Sequence, residues 1–270
     1  KIIPAMVWDI LVTGGDCMNS FNISTTTAFV VAGCGVTVAK HGNRSVSSLC
    51  GSADVLEALG LKLDVDPETV EQSVNEIGIG FLFAPLYHSA MRFAAKARKE
   101  VGLRSIFNML GPLTNPAGAN CQLVGVYAPE LTEMFALAFQ RLGCKRAFVV
   151  HGHEGLDEIS ICAPTRVSEL NEGRIITYDI LPEQYFEERA ASKDLLGGKP
   201  VENAAITRNI LNGETGPKRN VVLINAAAAL KAAGKSENLK DGIRLAASSI
   251  DSGSAMKKLN DLIAFTQENA

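Results

Sequence analysis

Short apolar runs alternate along the chain with longer segments in which apolar residues recur at helical spacing. The apolar runs predict strands at 9–12, 36–40, 79–83, 122–127, 147–150, 159–162 and 175–178. The helical spacing predicts helices at 22–33, 52–59, 67–76, 88–100, 130–142, 201–212, 220–233, 239–252 and 254–268. Strands that alternate with helices are typical of a mostly parallel sheet covered on both faces. We therefore expect an α/β fold with a mostly parallel central sheet flanked by helices, in one main domain spanning 1–270.

Two helix boundaries carry specific sequence signals. Asp66 comes directly before Pro67, which is the order expected of an N-cap followed by the first helical residue. Gly143 follows the predicted helix 130–142, where a glycine commonly ends a helix in a left-handed conformation.

Two loops rich in glycine or hydroxyl groups each lie between a predicted strand and a predicted helix. The first runs from Val12 to Asp16 and is followed by the polar segment 20–25; the second runs from Lys40 to Ser48. Backbone N–H groups at a helix start, serine hydroxyls and cationic side chains all bind phosphate well. A solvated polar loop is the alternative interpretation of either segment. Because the two loops occur in tandem, they favour a phosphorylated ligand.

Two adjacent acids, Asp157 and Glu158, follow a predicted strand and a glycine-containing segment. Open α/β sheets place their ligand crevices at such strand ends. Both carboxylates can turn into one cleft there and bind Mg²⁺, although spacing alone favours a solvated acidic pair. The histidines His88, His151 and His153 do not stand at the spacing of a closed zinc site, so we do not expect them to bind a metal.

The composition is that of an ordinary globular chain. Of its 270 residues, 47% are hydrophobic and 20% are charged, and the formal net charge is −3. Nucleic-acid-binding surfaces are usually basic, so we expect no nucleic acid as partner. Six scattered cysteines without paired spacing indicate a reducing compartment, the cytoplasm. The sequence has no apolar run long enough for a membrane span, so we expect no membrane partner.

The motifs of the chain resemble, in order and over nearly its whole length, the signature of the anthranilate phosphoribosyltransferase family. The matching segments are Thr13 to Asp16, Phe21 to Thr25, Lys40 to Ser48, Gly51 to Gly60, Gly80 to Pro85, Tyr87-His88, Arg104 to Asn108, Gly111 to Pro116, His151-Gly152, Gly155 to Glu158 and Asn225 to Leu230.

The resemblance implies a large domain of the nucleoside phosphorylase/phosphoribosyltransferase type with remnants of a small α-helical domain. Residues 88–116 would contribute to that small domain, whose N-terminal part the chain is expected to lack. The implied reaction transfers the phosphoribosyl group of phosphoribosyl pyrophosphate to the amine of anthranilate and releases pyrophosphate. The full-length form would be a homodimer in the cytoplasm.

The resemblance also implies roles for individual residues. No residue would act as a catalytic acid or base, because the work is positional and metal-assisted. Phosphoribosyl pyrophosphate would be bound by Val12, Gly15, Asp16, Ser20, Asn22, Ile23, Ser24, Thr25, Lys40, His41, Gly42, Asn43, Arg44, Ser45, Val46, Ser47, Ser48 and Ser52. Anthranilate would be bound by Val12, Asn43, Arg104, His41 and His88. Two Mg²⁺ ions per active site would be held by Ser24, Asp157 and Glu158.

The chain departs from the family at two glycine positions. The family loop reads Gly-Thr-Gly-Gly-Asp-Gly, whereas Val12 and Cys17 replace its first and last glycines here. We expect Val12 to keep a β conformation and to weaken substrate binding without abolishing it. The alternatives are a nucleoside phosphorylase of similar architecture, an inactive or impaired member of the family, or a non-enzymatic relative that binds nucleic acid.

Overall fold

The computed structural model describes residues 7–13, 18–45, 48–88, 93, 100 and 106–270. These residues form a seven-stranded sheet with the strand order β3-β2-β1-β4-β5-β6-β7. Strands β1 to β5 pair in parallel, and β6 and β7 extend the sheet as antiparallel strands beyond β5. The expected fold class is confirmed, with an antiparallel pair at one edge.

The strands are β1 (Trp8–Val12), β2 (Val38–Gly42), β3 (Ile79–Phe83), β4 (Cys121–Gly125), β5 (Arg146–Gly152), β6 (Thr165–Asn171) and β7 (Arg174–Ile180). The helices are α1 (Ile23–Gly33), α2 (Ser52–Leu59), α3 (Pro67–Glu76), α4 (Ala84–Tyr87), α5 (Ile106–Leu113), α6 (Leu131–Arg141), α7 (Pro200–Leu211), α8 (Pro217–Ala232), α9 (Leu239–Asp251) and α10 (Ser254–Glu268). Short 3-10 turns lie at Pro182–Gln184 and Ser192–Leu195.

The largest core lies between one face of the sheet and the C-terminal helices. Helix α1 packs on β1 and also contacts α8, α9 and α10, so every residue from Ile23 to Ala32 is buried. Helix α8 is likewise buried along most of its length and is rich in alanine. Helices that are apolar on all sides occur where protein surrounds them, which explains why neither helix shows an amphipathic stripe.

The strand order reverses at β1. The chain builds β1, β2 and β3 outward in one direction and then returns to place β4 on the other side of β1. Ligands of open α/β sheets bind where the order reverses, at the carboxyl ends of the strands. In this protein that position is marked by Val12 and Gly125, which end β1 and β4 and pair with each other.

Most predicted elements are confirmed within a few residues, including the Asp66 N-cap, whose carboxylate accepts a hydrogen bond from the Thr69 N–H at 2.8 Å. Gly143 follows α6 with φ of +81°, as expected for a helix-ending glycine. The predicted helix at 88–100 lies mostly outside the described residues.

The strand predicted at 159–162 is wrong. Its backbone groups are bonded elsewhere: Asn225 bonds both the N–H and the carbonyl of Ile159, and Thr165 accepts from the Ser160 N–H. The segment therefore forms an irregular turn, and the next strand is the alternating run of β6, which the apolar pattern did not predict. Helix α5 was also not predicted. Within the described part of the chain, no helix combines the length and apolar character that crossing a membrane requires.

Candidate active site

The crevice floor depends on a glycine at the end of β4. A Cβ atom added to Gly125 would lie 1.4 Å from the Asp157 carbonyl oxygen and 3.1 Å from Cγ1 of Val12. No other residue could therefore occupy position 125 with the present backbone, because that spacing is far shorter than van der Waals contact. The glycine lets the segment that carries Asp157 cross the strand end beside Val12.

The acidic pair is buried, not solvated. Asp157 and Glu158 are each only 4% exposed, at the carboxyl end of the sheet. Ionised side chains are rarely buried without compensating partners, so this environment differs from the solvated pair that spacing alone favours.

The residue after the acidic pair is held by Asn225 of α8, a positioning residue that sequence reasoning did not assign. Its side-chain oxygen accepts from the Ile159 N–H at 2.9 Å, and its nitrogen donates to the carbonyls of Ile159 and Val221 at 2.9 and 2.8 Å. The side chain is fully buried and joins a rigid helix to the backbone directly following Glu158. An isolated amide within the apolar, alanine-rich segment was the available sequence signal.

Lys40 brings the first helix and the acidic segment together. Its Nζ atom donates to the Ile10 carbonyl at 2.5 Å and to Ser24 Oγ at 3.3 Å. Burial lowers the pKa of Lys40 to about 8, against the opposing effect of the nearby Asp9 and Glu158 carboxylates. Three residues that the sequence placed far apart, Ser24, Lys40 and Glu158, thus meet in one place.

Asp9 is a second residue that sequence reasoning did not assign. Its side chain is fully buried in β1, where it accepts hydrogen bonds from the Asn115 amide and the His41 N–H. Burial raises its pKa to about 6, although the Asn115 bond and Lys40 act in the opposite direction. A carboxylate between two apolar residues of a buried strand was the signal that could have identified it.

The start of α1 has no side-chain cap. Asn22 stands at the N-cap position, but its amide donates to the Cys50 carbonyl at 3.2 Å and its oxygen accepts from Asn203 at 2.9 Å. The hydroxyl of Thr25 is buried without a hydrogen-bond partner among the described residues. The positive end of the helix dipole makes this terminus suitable for an anion.

His41 and His88 form a contact pair beside the crevice. Their Nε2 atoms are 3.1 Å apart and their ring centroids are 4.9 Å apart in an edge arrangement. Burial is the main cause that lowers the pKa of His41 to about 4, and the nearby His88 adds to it. A hydrogen bond to the backbone of Gly111 acts in the opposite direction. The His41 ring is therefore uncharged at neutral pH.

Known proteins match both the sequence and this architecture. The family described as glycosyl transferase family, a/b domain, matches residues 5–256. The anthranilate phosphoribosyltransferase of Desulfosudis oleivorans is 68% identical over 265 residues, which cover 98% of this chain and 78% of that protein. The enzyme of the same name from Syntrophobacter fumaroxidans is 64% identical over 269 residues, covering 100% of this chain and 80% of that protein.

The chain belongs to the anthranilate phosphoribosyltransferase family.

Solved structures of the family agree with this assignment. The structure from Thermus thermophilus has a TM-score of 0.92 at 46% identity and covers 98% of this chain and 79% of that chain. The Saccharomyces cerevisiae structure in complex with phosphoribosyl pyrophosphate and Mg has a TM-score of 0.90 at 32% identity. The match covers 98% of this chain and 75% of that chain.

Within the segment Lys40 to Ser48, Arg44 and Ser45 contact the start of α2. Asp54 accepts hydrogen bonds from the N–H groups of Ser45 and Gly51 at 3.0 and 2.9 Å. A Cβ atom at Gly51 would lie 2.3 Å from the Ser45 nitrogen, so only glycine permits this fold of the loop. Arg44 points its guanidinium at α2, where it bonds both oxygens of Glu57 and one of Asp54.

The remaining predicted site residues are distributed as follows. Ser20 pairs with Leu196 in an isolated β-bridge, and the Ser52 hydroxyl donates to the Asn43 carbonyl at 3.3 Å. Val12 ends β1 and is not among the residues with positive φ, so its expected β conformation is confirmed. Gly15, Asp16, Val46, Ser47 and Arg104 lie outside the described residues.

The oxygen donors of Ser24, Asp157 and Glu158 fit a magnesium ion whose other ligands are water and substrate phosphate. Within the described residues, no three His, Cys, Asp or Glu side chains come together as a metal site made by protein alone. Mg²⁺ commonly takes one or two carboxylates and completes its octahedron with water and phosphate oxygens. Two adjacent buried carboxylates, with Glu158 close to the lysine that bonds Ser24, are consistent with that mode of binding.

We predict that His41 stays neutral well below physiological pH. Its folded pKa of about 4 lies below the ordinary histidine value of 6.5, so the folded protein binds fewer protons than the unfolded chain. The contribution of His41 to stability should be constant above about pH 6.5 and decline as the pH falls towards 4. An NMR titration of the imidazole signals, assigned with His41→Gln, checks this; a ring that titrates above pH 6 contradicts it.

We predict that Asn225→Ala destabilises the fold and displaces the acidic segment. The substitution leaves the buried N–H and carbonyl of Ile159 unpaired, which should cost about 3 kcal/mol. The Mg²⁺ concentration for half-maximal activity should also rise. The control is Asn238→Ala, which removes an exposed helix cap and should cost about 1 kcal/mol without changing Mg²⁺ dependence. Both variants are assayed at a temperature at which each remains folded. The same Mg²⁺ concentration for half-maximal activity in both would refute the role of Asn225.

Proposed function

We propose that this protein transfers the phosphoribosyl group of phosphoribosyl pyrophosphate to the amine of anthranilate, with release of pyrophosphate. The observation that carries this proposal is the meeting of Ser24, Lys40 and Glu158 at the crevice where the strand order reverses. A cation, a hydroxyl and buried acids at that position suit a magnesium-bound pyrophosphate. Solved structures of the Saccharomyces cerevisiae enzyme are complexes with phosphoribosyl pyrophosphate and Mg and with 4-fluoroanthranilate, which supports both substrates.

The residues around the pyrophosphate act by position and charge. Asp157, Glu158 and Ser24 would hold Mg²⁺, two ions per site, and the ions would neutralise the charge that the departing pyrophosphate carries. Lys40 adds a fixed positive charge that need not reorganise during the reaction. The start of α1 and the loop 40–48 supply backbone N–H and hydroxyl donors. No side chain needs to exchange a proton with the substrate in this arrangement.

Anthranilate would lie on the side of the crevice formed by Val12, Asn43, His41 and His88. The neutral His41 ring offers an aromatic surface and a hydrogen bond without adding charge beside an aromatic acid. Arg104 would bind the anthranilate carboxylate through its planar guanidinium, which matches a carboxylate in a two-pronged geometry. Holding the amine close to the ribose C1′ would supply much of the rate enhancement.

The larger organisation is also proposed from the family. Residues 88–116 would join a small helical domain beside the main α/β domain, and the protein would form a homodimer in the cytoplasm. No nucleic-acid partner is proposed, in keeping with the net charge of −3.

The test of the function is consumption of anthranilate with and without phosphoribosyl pyrophosphate, followed by fluorescence. We predict Mg²⁺-dependent turnover that the double substitution Asp157→Ala, Glu158→Ala lowers by at least about 10³-fold, because the pyrophosphate loses its metal. The matched control, Asp241→Ala together with Glu237→Ala, removes two acids near the start of α9 and should leave turnover intact. Turnover that survives in the first double variant would rule out the metal assignment.

We predict that Val12→Gly improves kcat/KM by up to about tenfold, equivalent to about 1.4 kcal/mol, because the branched side chain intrudes where both substrates meet the loop. The matched control is Val38→Gly, which removes the same side chain at the opposite end of the neighbouring strand. Both substitutions should lower stability, but only the first should raise kcat/KM. An unchanged or lower value for Val12→Gly would mean that Val12 does not impair the site.

A further inference from the structure

Asp9 is a charged residue in the interior of the sheet, between the apolar residues Trp8 and Ile10. Its side chain has no exposed surface, and the side chains of Trp8 and Ile10 are buried as well. Moving an ionised carboxylate from water into such a place is costly unless partners compensate it. The partners of Asp9 therefore indicate why the residue is tolerated.

The carboxylate joins three separate parts of the chain. One oxygen of Asp9 accepts from the backbone N–H of His41 at 3.0 Å, at the carboxyl end of β2. The other accepts from the side-chain nitrogen of Asn115 at 2.7 Å. That same Asn115 nitrogen also donates to the Ala39 carbonyl at 2.9 Å. Asp9 and Asn115 together thus hold the backbone on both sides of Lys40.

The charge of Asp9 also acts on Lys40. Asp9 and Glu158 are the two carboxylates that favour the charged form of this buried lysine, against the effect of burial. Lys40 in turn reaches Ser24 at the start of α1. Asp9 is thereby connected to the pyrophosphate end of the crevice without belonging to it.

We propose that Asp9 is a positioning residue for substrate binding: through its bonds to His41 and Asn115 it holds the end of β2 so that Lys40 faces the pyrophosphate. This inference rests on the proposed function. It assigns Asp9 no contact with substrate. Asp9 acts through the backbone that carries Lys40 and through the charge that it places behind the lysine.

The substitution Asp9→Asn keeps the shape of the side chain but alters both effects. The new amide can still accept from the His41 N–H, yet its nitrogen then faces the nitrogen of Asn115, and two donors cannot bond each other. It also removes one negative charge from a site that binds a polyanion. Simple electrostatics would predict tighter pyrophosphate binding after this change, whereas a positioning role predicts weaker binding.

The matched control is Glu169→Gln, which removes a buried carboxylate from the same sheet. Glu169 accepts from Lys231 at 2.9 Å and from Tyr178 at 2.7 Å, so it too pairs with a lysine. It lies within β6 opposite Phe148 of β5 and takes no part in the crevice. Glu169→Gln therefore shows how the loss of a buried carboxylate affects stability when that carboxylate does not position the site.

The experiment measures KM for each substrate, kcat, and direct binding of Mg²⁺-phosphoribosyl pyrophosphate by calorimetry. For Asp9→Asn we expect KM for phosphoribosyl pyrophosphate to rise at least about tenfold, with a smaller rise in KM for anthranilate because Asp9 also bonds the His41 backbone. Glu169→Gln should leave both KM values unchanged, because partial unfolding lowers the amount of active protein and not its affinity. Unchanged or tighter phosphoribosyl pyrophosphate binding by Asp9→Asn overturns the inference.

A second variant tests the route through Asn115. Asn115→Ala leaves the charge of Asp9 in place but removes its bond, and it should raise the same KM. The double variant should bind no more weakly than Asp9→Asn alone, because both changes break one shared arrangement. Additive losses overturn the inference. If Asp9→Asn does not fold, Asn115→Ala alone tests the inference, and an unchanged KM for phosphoribosyl pyrophosphate then overturns it. If the unsubstituted protein does not bind phosphoribosyl pyrophosphate, the proposed function itself fails; if only the variants behave contrary to expectation, the inference fails alone.

Discussion

The crossing of the Asp157 backbone over Gly125 is the contact on which the crevice depends. The strand order places the ends of β1 and β4 side by side, and the absence of a side chain at Gly125 lets the acidic segment descend onto them. Asn225 then holds the next residue from the helix layer behind the sheet. Backbone contacts and a buried amide therefore help to position the acids.

Burial of charge is the second constraint. Asp9, Lys40 and Glu158 are all nearly inaccessible to water, and each would be costly there alone. Together they alternate in sign, so that Lys40 lies near a carboxylate in β1 and another in the acidic segment. Burial raises the pKa of Asp9 and lowers that of Lys40. Such shifted pKa values are common at functional sites.

The two sides of the crevice differ in polarity for a physical reason. The side with α1 and the acids combines a helix end, a cation and carboxylates, which suits a metal-bound polyanion. The opposite side carries the His41–His88 pair. Burial keeps the His41 ring neutral by lowering its pKa. A flat aromatic acid and a charged sugar phosphate would thus meet environments matched to each, with Val12 at the boundary.

The sequence alone determined the family, the α/β class and most helices and strands, because these follow from local motifs and from hydrophobic periodicity. It also pointed to Lys40, Ser24 and the acidic pair. Tertiary structure alone decided that Asp157 and Glu158 are buried, that Arg44 turns to α2, and that 159–162 is a turn. It alone revealed Asp9, Asn115 and Asn225 as residues that hold the site. Their roles depend on hydrogen bonds between segments that lie 32 to 106 residues apart, and no local pattern encodes such partners.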